Sequence, residues 1–137
     1  MELADTSAWT SRHRSPDTLR AFAELVDGDE IATCAPVVFE LLRSEPDHGR
    51  VVERRDQLEG LRTVPIGPRV WRRALDVQER LAGLGPSRHR PFPLADLLVA
   101  AAAELAELPV LHYDRHFELI ASVTGQPVRA LAPLGSL

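Results

Sequence analysis

No lysine occurs in this chain; all 16 basic residues are arginine. A phosphoacceptor receiver site sets a lysine beside its acidic pocket, so that reading is excluded. There is one cysteine, Cys34. A lone thiol closes no internal disulfide, which fits a reducing compartment and makes the cytoplasm the expected location. No apolar run reaches the roughly 18 residues of a membrane span, so no membrane association is expected. The opening residues Met1-Glu2-Leu3-Ala4-Asp5 lack the basic lead and apolar stretch of a secretory signal. Aromatic residues make up only 5% of the chain, too few for a platform that stacks successive bases. No cysteine or histidine nucleophile stands with a matching partner. His112 and His116 are four apart but straddle a strand-to-turn junction, so the helical zinc spacing does not apply. The net charge of −4 excludes a generic nucleic-acid binder.

What remains is a chain of 137 residues, 45% hydrophobic, which fits one domain over residues 1–137. Strands are expected at 2–5, 30–34, 109–113 and 127–131, and helices at 16–26, 36–43, 47–61, 68–84, 93–108 and 115–124. Gly28 and Gly125 stand at helix ends, and Pro36 suits a first helical turn. In the helix over 68–84 the expected inward stripe is Val70, Trp71, Ala74, Leu75 and Leu81. The helix over 93–108 is apolar nearly all round and is expected to be buried. Strands alternating with helices predict an α/β fold, with a mainly parallel central sheet between helical layers. In such folds ligands bind beyond the carboxyl ends of the strands.

Four acids stand at those places within apolar text: Asp5, Glu40, Asp96 and Asp114. Carboxylates are rarely buried unless paired, hydrogen-bonded or metal-bound. Each also has an ordinary reading. Asp5 and Asp114 suit helix N-caps. Glu40 can pair along its own helix with Arg43 or Ser44. Asp96 gains from the dipole at a helix start. Taken together, the four supply hard oxygen ligands that suit Mg²⁺ or Mn²⁺. Such a set points to metal-dependent attack of water on a phosphodiester. Thr6 and Ser7 carry hydroxyls able to orient the Asp5 carboxylate. An aspartyl-nucleophile phosphatase shows Asp-x-Asp, and here Ser7 occupies the second position.

The stretches Leu3-Ala4-Asp5-Thr6-Ser7-Ala8-Trp9, Pro36-Val37-Val38-Phe39-Glu40-Leu41-Leu42, Pro93-Leu94-Ala95-Asp96-Leu97-Leu98-Val99-Ala100-Ala101-Ala102 and Val110-Leu111-His112-Tyr113-Asp114-Arg115-His116-Phe117 carry a resemblance. In order, spacing and total length the chain resembles the PIN-domain ribonucleases, and within them the VapC-like toxins of bacterial toxin–antitoxin pairs. The resemblance implies a PIN-like three-layer α/β/α sandwich and Mg²⁺-dependent endonucleolytic cleavage of RNA. It also implies a cognate antitoxin as partner and a homodimer. Carried over by position, Asp5, Glu40, Asp96 and Asp114 would be the metal and catalytic acids, with Ser7 supporting them by a hydrogen bond. The chain departs from many relatives at His116, where they carry a further acid, and in its short lead-in to the first strand. The alternative is a PIN-like module that keeps the fold and binds a partner or RNA without cutting.

An acidic pocket repels RNA, so flanking cations are needed to hold phosphates. Arg88 and Arg90 are the candidates, because the proline-bracketed loop over 86–91 leads directly toward Asp96. Arg54/Arg55 and Arg72/Arg73 read as ordinary helix surface. Trp71 is expected in the core, and Trp9 either in the core or in a groove for the antitoxin.

Overall fold

Leu3, Ala4, Ala32, Val110 and Leu111 have no or almost no exposed surface, and the strands that carry them form the middle of the sheet. A computed structural model describes residues 1–137. The strands are β1 (Glu2–Ala4), β2 (Ile31–Cys34), β3 (Arg62–Val64), β4 (Val110–His112) and β5 (Val128–Ala130). The helices are α1 (Thr6–Ser11), α2 (Pro16–Asp27), α3 (Ala35–Arg43), α4 (His48–Glu59), α5 (Pro68–Ala82), α6 (Leu94–Leu105) and α7 (Arg115–Thr124). A single 3-10 turn, Arg12–Arg14, joins α1 to α2.

The strand order is β3-β2-β1-β4-β5, and every pair is parallel. Leu3 stands in register with Ala32 on one side and Val110 on the other. Strands covered on both faces read as continuous apolar runs rather than alternations. All residues of β2 and β4 are buried accordingly. The chain winds outward from β1 through β2 to β3, then crosses back to β4 beside β1. Right-handed crossovers place α1 to α4 on one face and α5 to α7 on the other. The helix contacts agree: α5, α6 and α7 pack on one another, and α3 packs on α4. The order therefore reverses between β1 and β4, where an open α/β sheet leaves a crevice at its carboxyl edge.

The expected architecture holds, with three local differences. Residues 6–11, for which no element was expected, form α1, and Asp5 caps it by accepting a hydrogen bond from Ser7 N, in line with its N-cap reading. Strand β3 carries no sequence signal, since only Val64 of its three residues is buried at the sheet edge. In α5 the inward stripe is Val70, Ala74, Val77 and Leu81, at steps of four, three and four. Trp71 and Leu75 lie one residue further round the helix and are 46% and 64% exposed. Arg73 is not idle surface either. Its guanidinium makes two hydrogen bonds to Glu104, at 2.8 and 2.9 Å, and ties α5 to α6.

Gly125 ends α7 in the left-handed conformation (φ +73°), where a side chain would be strained. Phe117, fully buried, and Trp71 give opposite expectations for truncation. Phe117→Ala should cost about 3–5 kcal/mol of unfolding free energy. Trp71→Ala should cost about 1 kcal/mol or less. Urea titration of both variants checks the corrected stripe, and equal losses would overturn it.

Candidate active site

The four acids arrive by four separate routes. Asp5 directly follows β1 and Asp114 stands two residues beyond β4, on the two strands that flank the switch point. Asp96 lies in the first turn of α6, and Glu40 lies in the second turn of α3. Helix α6 packs on β1, β4 and α3, which brings these routes together.

Asp5 is 4% exposed and is held by Ser7. Its Oδ2 accepts from Ser7 N at 2.9 Å and from Ser7 Oγ at 2.6 Å. The same Ser7 Oγ accepts from Tyr113 N at 2.9 Å, so one hydroxyl bridges the ends of β1 and β4. Thr6 Oγ1 donates to Glu40 Oε2, which ties the start of α1 to α3. Asp114 caps α7 through His116 N at 2.9 Å, so its capping reading is correct as well.

Two histidines shape the site without having been singled out as site residues. His116 Nδ1 lies 2.8 Å from Asp96 Oδ2 and 3.6 Å from Asp114 Oδ1. Its ring leans on buried Phe92 at 5.1 Å, which anchors the end of the loop before α6. His112 is fully buried. Its Nδ1 accepts from Asp114 N at 3.1 Å and its Nε2 lies 3.1 Å from Glu118. The sequence signal for His112 was its place at the end of β4 beside Asp114, and that for His116 was the further acid that many members of the resembled family carry at its position.

One ligand atom each from Asp96, Asp114 and His116 lies within 4.8 Å of the others. Asp5 and Glu40 stand outside that tight group but couple to it by charge. Burial pushes Asp5 up to about 6, with repulsion from Asp96 and Glu40 adding to it and the Ser7 hydrogen bonds opposing it. Burial also raises Asp96, again with like charges adding, from Asp114 and Glu40, while His116 opposes. Cys34, in the adjoining strand, is pushed up to about 12 by burial and is no nucleophile. Arg88 and Arg90 are both exposed and unpaired, in the loop that ends at Phe92. Phe39 projects from α3 beside Glu40 and is 76% exposed. It borders a groove of about 420 Å³ shared with Val38, Leu42 and Leu58.

Residues 3–123 match the family model described as the PIN domain. The chain is 38% identical over 133 residues to Ribonuclease VapC18 of Mycobacterium tuberculosis, covering 97% of this chain and 96% of that relative. It is 36% identical over 138 residues to Ribonuclease VapC21 of the same species, covering 98% and 96%. Among solved structures, DNA-bound VapBC from Salmonella typhimurium superposes with a TM-score of 0.71 at 18% identity, over 96% of this chain and all of that one. VapBC2 from Rickettsia felis, bound to a promoter DNA fragment, gives 0.69 at 13% identity, over 94% and 97%. At such identities the structural likeness speaks for the fold.

The raised Asp5 sets a pH expectation for the metal-free protein. The folded state holds the Asp5 proton up to about pH 6, whereas the unfolded chain releases it near 3.8. Stability from this group is therefore full below 3.8 and is lost as pH rises through 6, by an amount on the order of 2–3 kcal/mol. Asp5→Asn should raise the metal-free thermal midpoint at pH 7, with the gain appearing as pH rises from about 4 to 6. Calorimetry across that range checks it. A gain that is absent, or equal at pH 4 and pH 7, would contradict the electrostatic origin.

Proposed function

This chain belongs to the PIN-domain family, and on that premise we propose that it is a metal-dependent endoribonuclease acting as the toxin of a toxin–antitoxin pair. The observation that supports the reading is the tight group of Asp96, Asp114 and His116 beside the β1/β4 switch point, with Asp5 and Glu40 coupled to it by charge and with Asp5 and Asp96 raised in pKa. Its two long-covering relatives in Mycobacterium tuberculosis are named ribonucleases.

The residues fit a divalent cation. They offer hard carboxylate oxygens, and the burial that chiefly raises Asp5 and Asp96, together with the like-charge repulsion that adds to it, is what a positive ion at this point would offset. We assign Mg²⁺, with Mn²⁺ as substitute, to Asp5, Asp96 and Asp114, with Glu40 at the rim. When bound, such an ion would offset phosphate charge and acidify water for in-line attack on phosphorus. The chain does the rest. Ser7 fixes the Asp5 carboxylate, and His116 fixes that of Asp96. Thr6 occupies Glu40 Oε2 and leaves Oε1 without a protein partner, so Glu40 would be the group to accept a proton from the attacking water. Arg88 and Arg90 would hold the RNA backbone on the approach to Asp96.

The partner reading follows from the apolar surface beside the site. An antitoxin helix would pack on α3 at Phe39 and on the groove below it, and a basic residue from its tail would face the acids. The solved neighbours include a toxin–antitoxin complex from Klebsiella pneumoniae, 13% identical to this chain with a TM-score of 0.70. A homodimer and a cytoplasmic location complete the reading. No helix here is long and apolar enough to cross a membrane.

Purified protein incubated with total RNA and Mg²⁺ should cleave it, and chelation should stop the cleavage. Asp96→Asn should lower the rate by at least about 100-fold while circular dichroism stays unchanged, because an amide keeps the shape and loses the charge. Cleavage at the wild-type rate by this variant would refute the site. RNA binding without cleavage by the wild type would favour the inactive-module alternative. Replacing Arg88 and Arg90 together by Ala should weaken RNA binding and reduce the slope of log affinity against log salt by roughly 0.7 per lost contact. An unchanged slope would remove the loop from the RNA path.

A further inference from the structure

His116 is where this chain leaves an all-carboxylate pattern, yet its ring turns into the acidic site rather than away from it. His116 Nδ1 lies 2.8 Å from Asp96 Oδ2 and 3.6 Å from Asp114 Oδ1. A hydrogen bond that merely holds Asp96 explains the first distance. It does not explain the second, nor why three side chains face one point. One ligand atom from each of Asp96, Asp114 and His116 lies within 4.8 Å of the other two. Neighbouring donors on an octahedral ion with bonds near 2.1 Å stand about 3 Å apart, and the two measured distances lie on either side of that value.

Each of the three side chains is held in place. Asp96 opens α6, whose following residues Leu97 to Ala103 are buried. Asp114 caps α7, with Oδ1 accepting from His116 N at 2.9 Å. Buried Phe92 packs on the His116 ring, with centroids 5.1 Å apart. Such packing fixes a ligand ring much as a hydrogen-bonded neighbour does. No hydrogen bond from the protein reaches His116 Nε2, Asp96 Oδ1 or Asp114 Oδ2. The ring can therefore keep its hydrogen on Nε2 and offer the Nδ1 lone pair to an ion.

The donor set selects the ion. Mg²⁺ is hard, prefers oxygen and gives up its waters reluctantly. Imidazole nitrogen suits first-row transition ions, and affinity for a mixed nitrogen and oxygen site rises from Mn²⁺ to Co²⁺. A neutral ring in place of a carboxylate also removes one negative charge, which weakens the pull on Mg²⁺. Asp5 and Glu40 lie outside the tight group and offer oxygen alone. The two sides of the site thus differ in chemistry. Three protein donors leave positions open for water or a phosphate oxygen.

We propose that His116 Nδ1 is a metal ligand, and that the corner formed by Asp96, Asp114 and His116 takes a first-row transition ion in preference to Mg²⁺. This deepens the metal-dependent reading and rests on it for the reaction the ion serves. The hydrogen bond to Asp96 is the contact the ring makes in the metal-free protein. A histidine at this position does not cost the chain a cation; it changes which cation the chain selects.

Calorimetric titration of the metal-free full chain with Mg²⁺, Mn²⁺ and Co²⁺ tests the preference. Electron spin-echo spectroscopy of the Mn²⁺-loaded protein tests the ligand, and neither measurement involves RNA. Affinity should rise from Mg²⁺ through Mn²⁺ to Co²⁺. The Mn²⁺ signal should show coupling to nitrogen that changes when the histidines are labelled with ¹⁵N. The chain has five histidines, so variants assign the coupling. His116→Asp should abolish it and lower the ratio of Mn²⁺ to Mg²⁺ affinity at least about tenfold, because losing a ligand costs no less than losing a ligand's hydrogen-bond partner. His116→Gln keeps a donor toward Asp96 but has no ring nitrogen. It should lose the coupling and the preference while its circular dichroism and metal-free thermal midpoint stay near those of the wild type.

A Mn²⁺ signal without nitrogen coupling, or a His116→Gln variant with the wild-type preference, would overturn the proposal and leave His116 a positioning residue for Asp96. Coupling that survives in both variants would assign the nitrogen to another histidine and equally overturn it. Equal affinity of the wild type for Mg²⁺ and Mn²⁺ would remove the preference. RNA cleavage with each ion, assayed in parallel, separates this inference from the nuclease reading. Cleavage without nitrogen coupling removes only the inference, and coupling without cleavage in any of the three ions removes only the nuclease.

Discussion

One hydroxyl holds the centre of this protein together. Ser7 Oγ donates to the buried Asp5 carboxylate and accepts from the Tyr113 amide, so it ties the carboxyl ends of β1 and β4 where the winding of the sheet reverses. That reversal opens the crevice, and the serine keeps Asp5 in it despite the cost of burial. Without the two bonds from Ser7, nothing in the surroundings of Asp5 would favour its charged form. Burial, Asp96 and Glu40 all push toward protonation. The position of every other acid is then defined relative to a strand end that this bond fixes.

The acids oppose the fold they sit in. Carboxylates drawn together at low exposure cost stability in the metal-free protein, and the remainder of the molecule offsets that cost. The offset is visible in α6, whose residues Leu97 to Ala103 are all buried. The N-terminus of this helix carries Asp96. The apolar length behind that aspartate fixes the helix against β1 and β4, so the carboxylate cannot retreat to solvent by tilting the helix away. The Arg73–Glu104 pair pins the other end to α5. The raised pKa of Asp96 follows from this rigid seat, and the bond from His116 limits it.

Much of the fold was legible because the chain punctuates itself. Pro16, Pro36 and Pro68 fall in first helical turns and Gly28 and Gly125 at helix ends, and the periodic apolar runs lie between them. What stayed hidden was short or marginal. Strand β3 buries a single residue at a sheet edge, and its identity comes from pairing with β2, a tertiary fact. Helix α1 is too short for a periodic signal, and only its cap, Asp5, pointed to it. The reading of Trp71 and Leu75 failed for a different reason. Side-chain size was allowed to widen the stripe, whereas helix geometry puts those two positions about 100° round from Val70 and Ala74.

The site divides along the same line. The acids stood out because a carboxylate within apolar text is an anomaly in one dimension. Their partners did not stand out, because partnership is a property of three dimensions. His116 is twenty positions from Asp96, Thr6 is thirty-four from Glu40, and Ser7 meets Tyr113 across 106. Arginine pushes the argument further. Sequence treats Arg73 and Arg54 alike, as cations on helices with polar neighbours. The fold gives Arg73 a carboxylate and gives Arg54 an indole and a second cation. The first arrangement is complete within the chain and stabilises it. The second leaves donors without acceptors beside an open groove and does not stabilise the chain as the ion pair does.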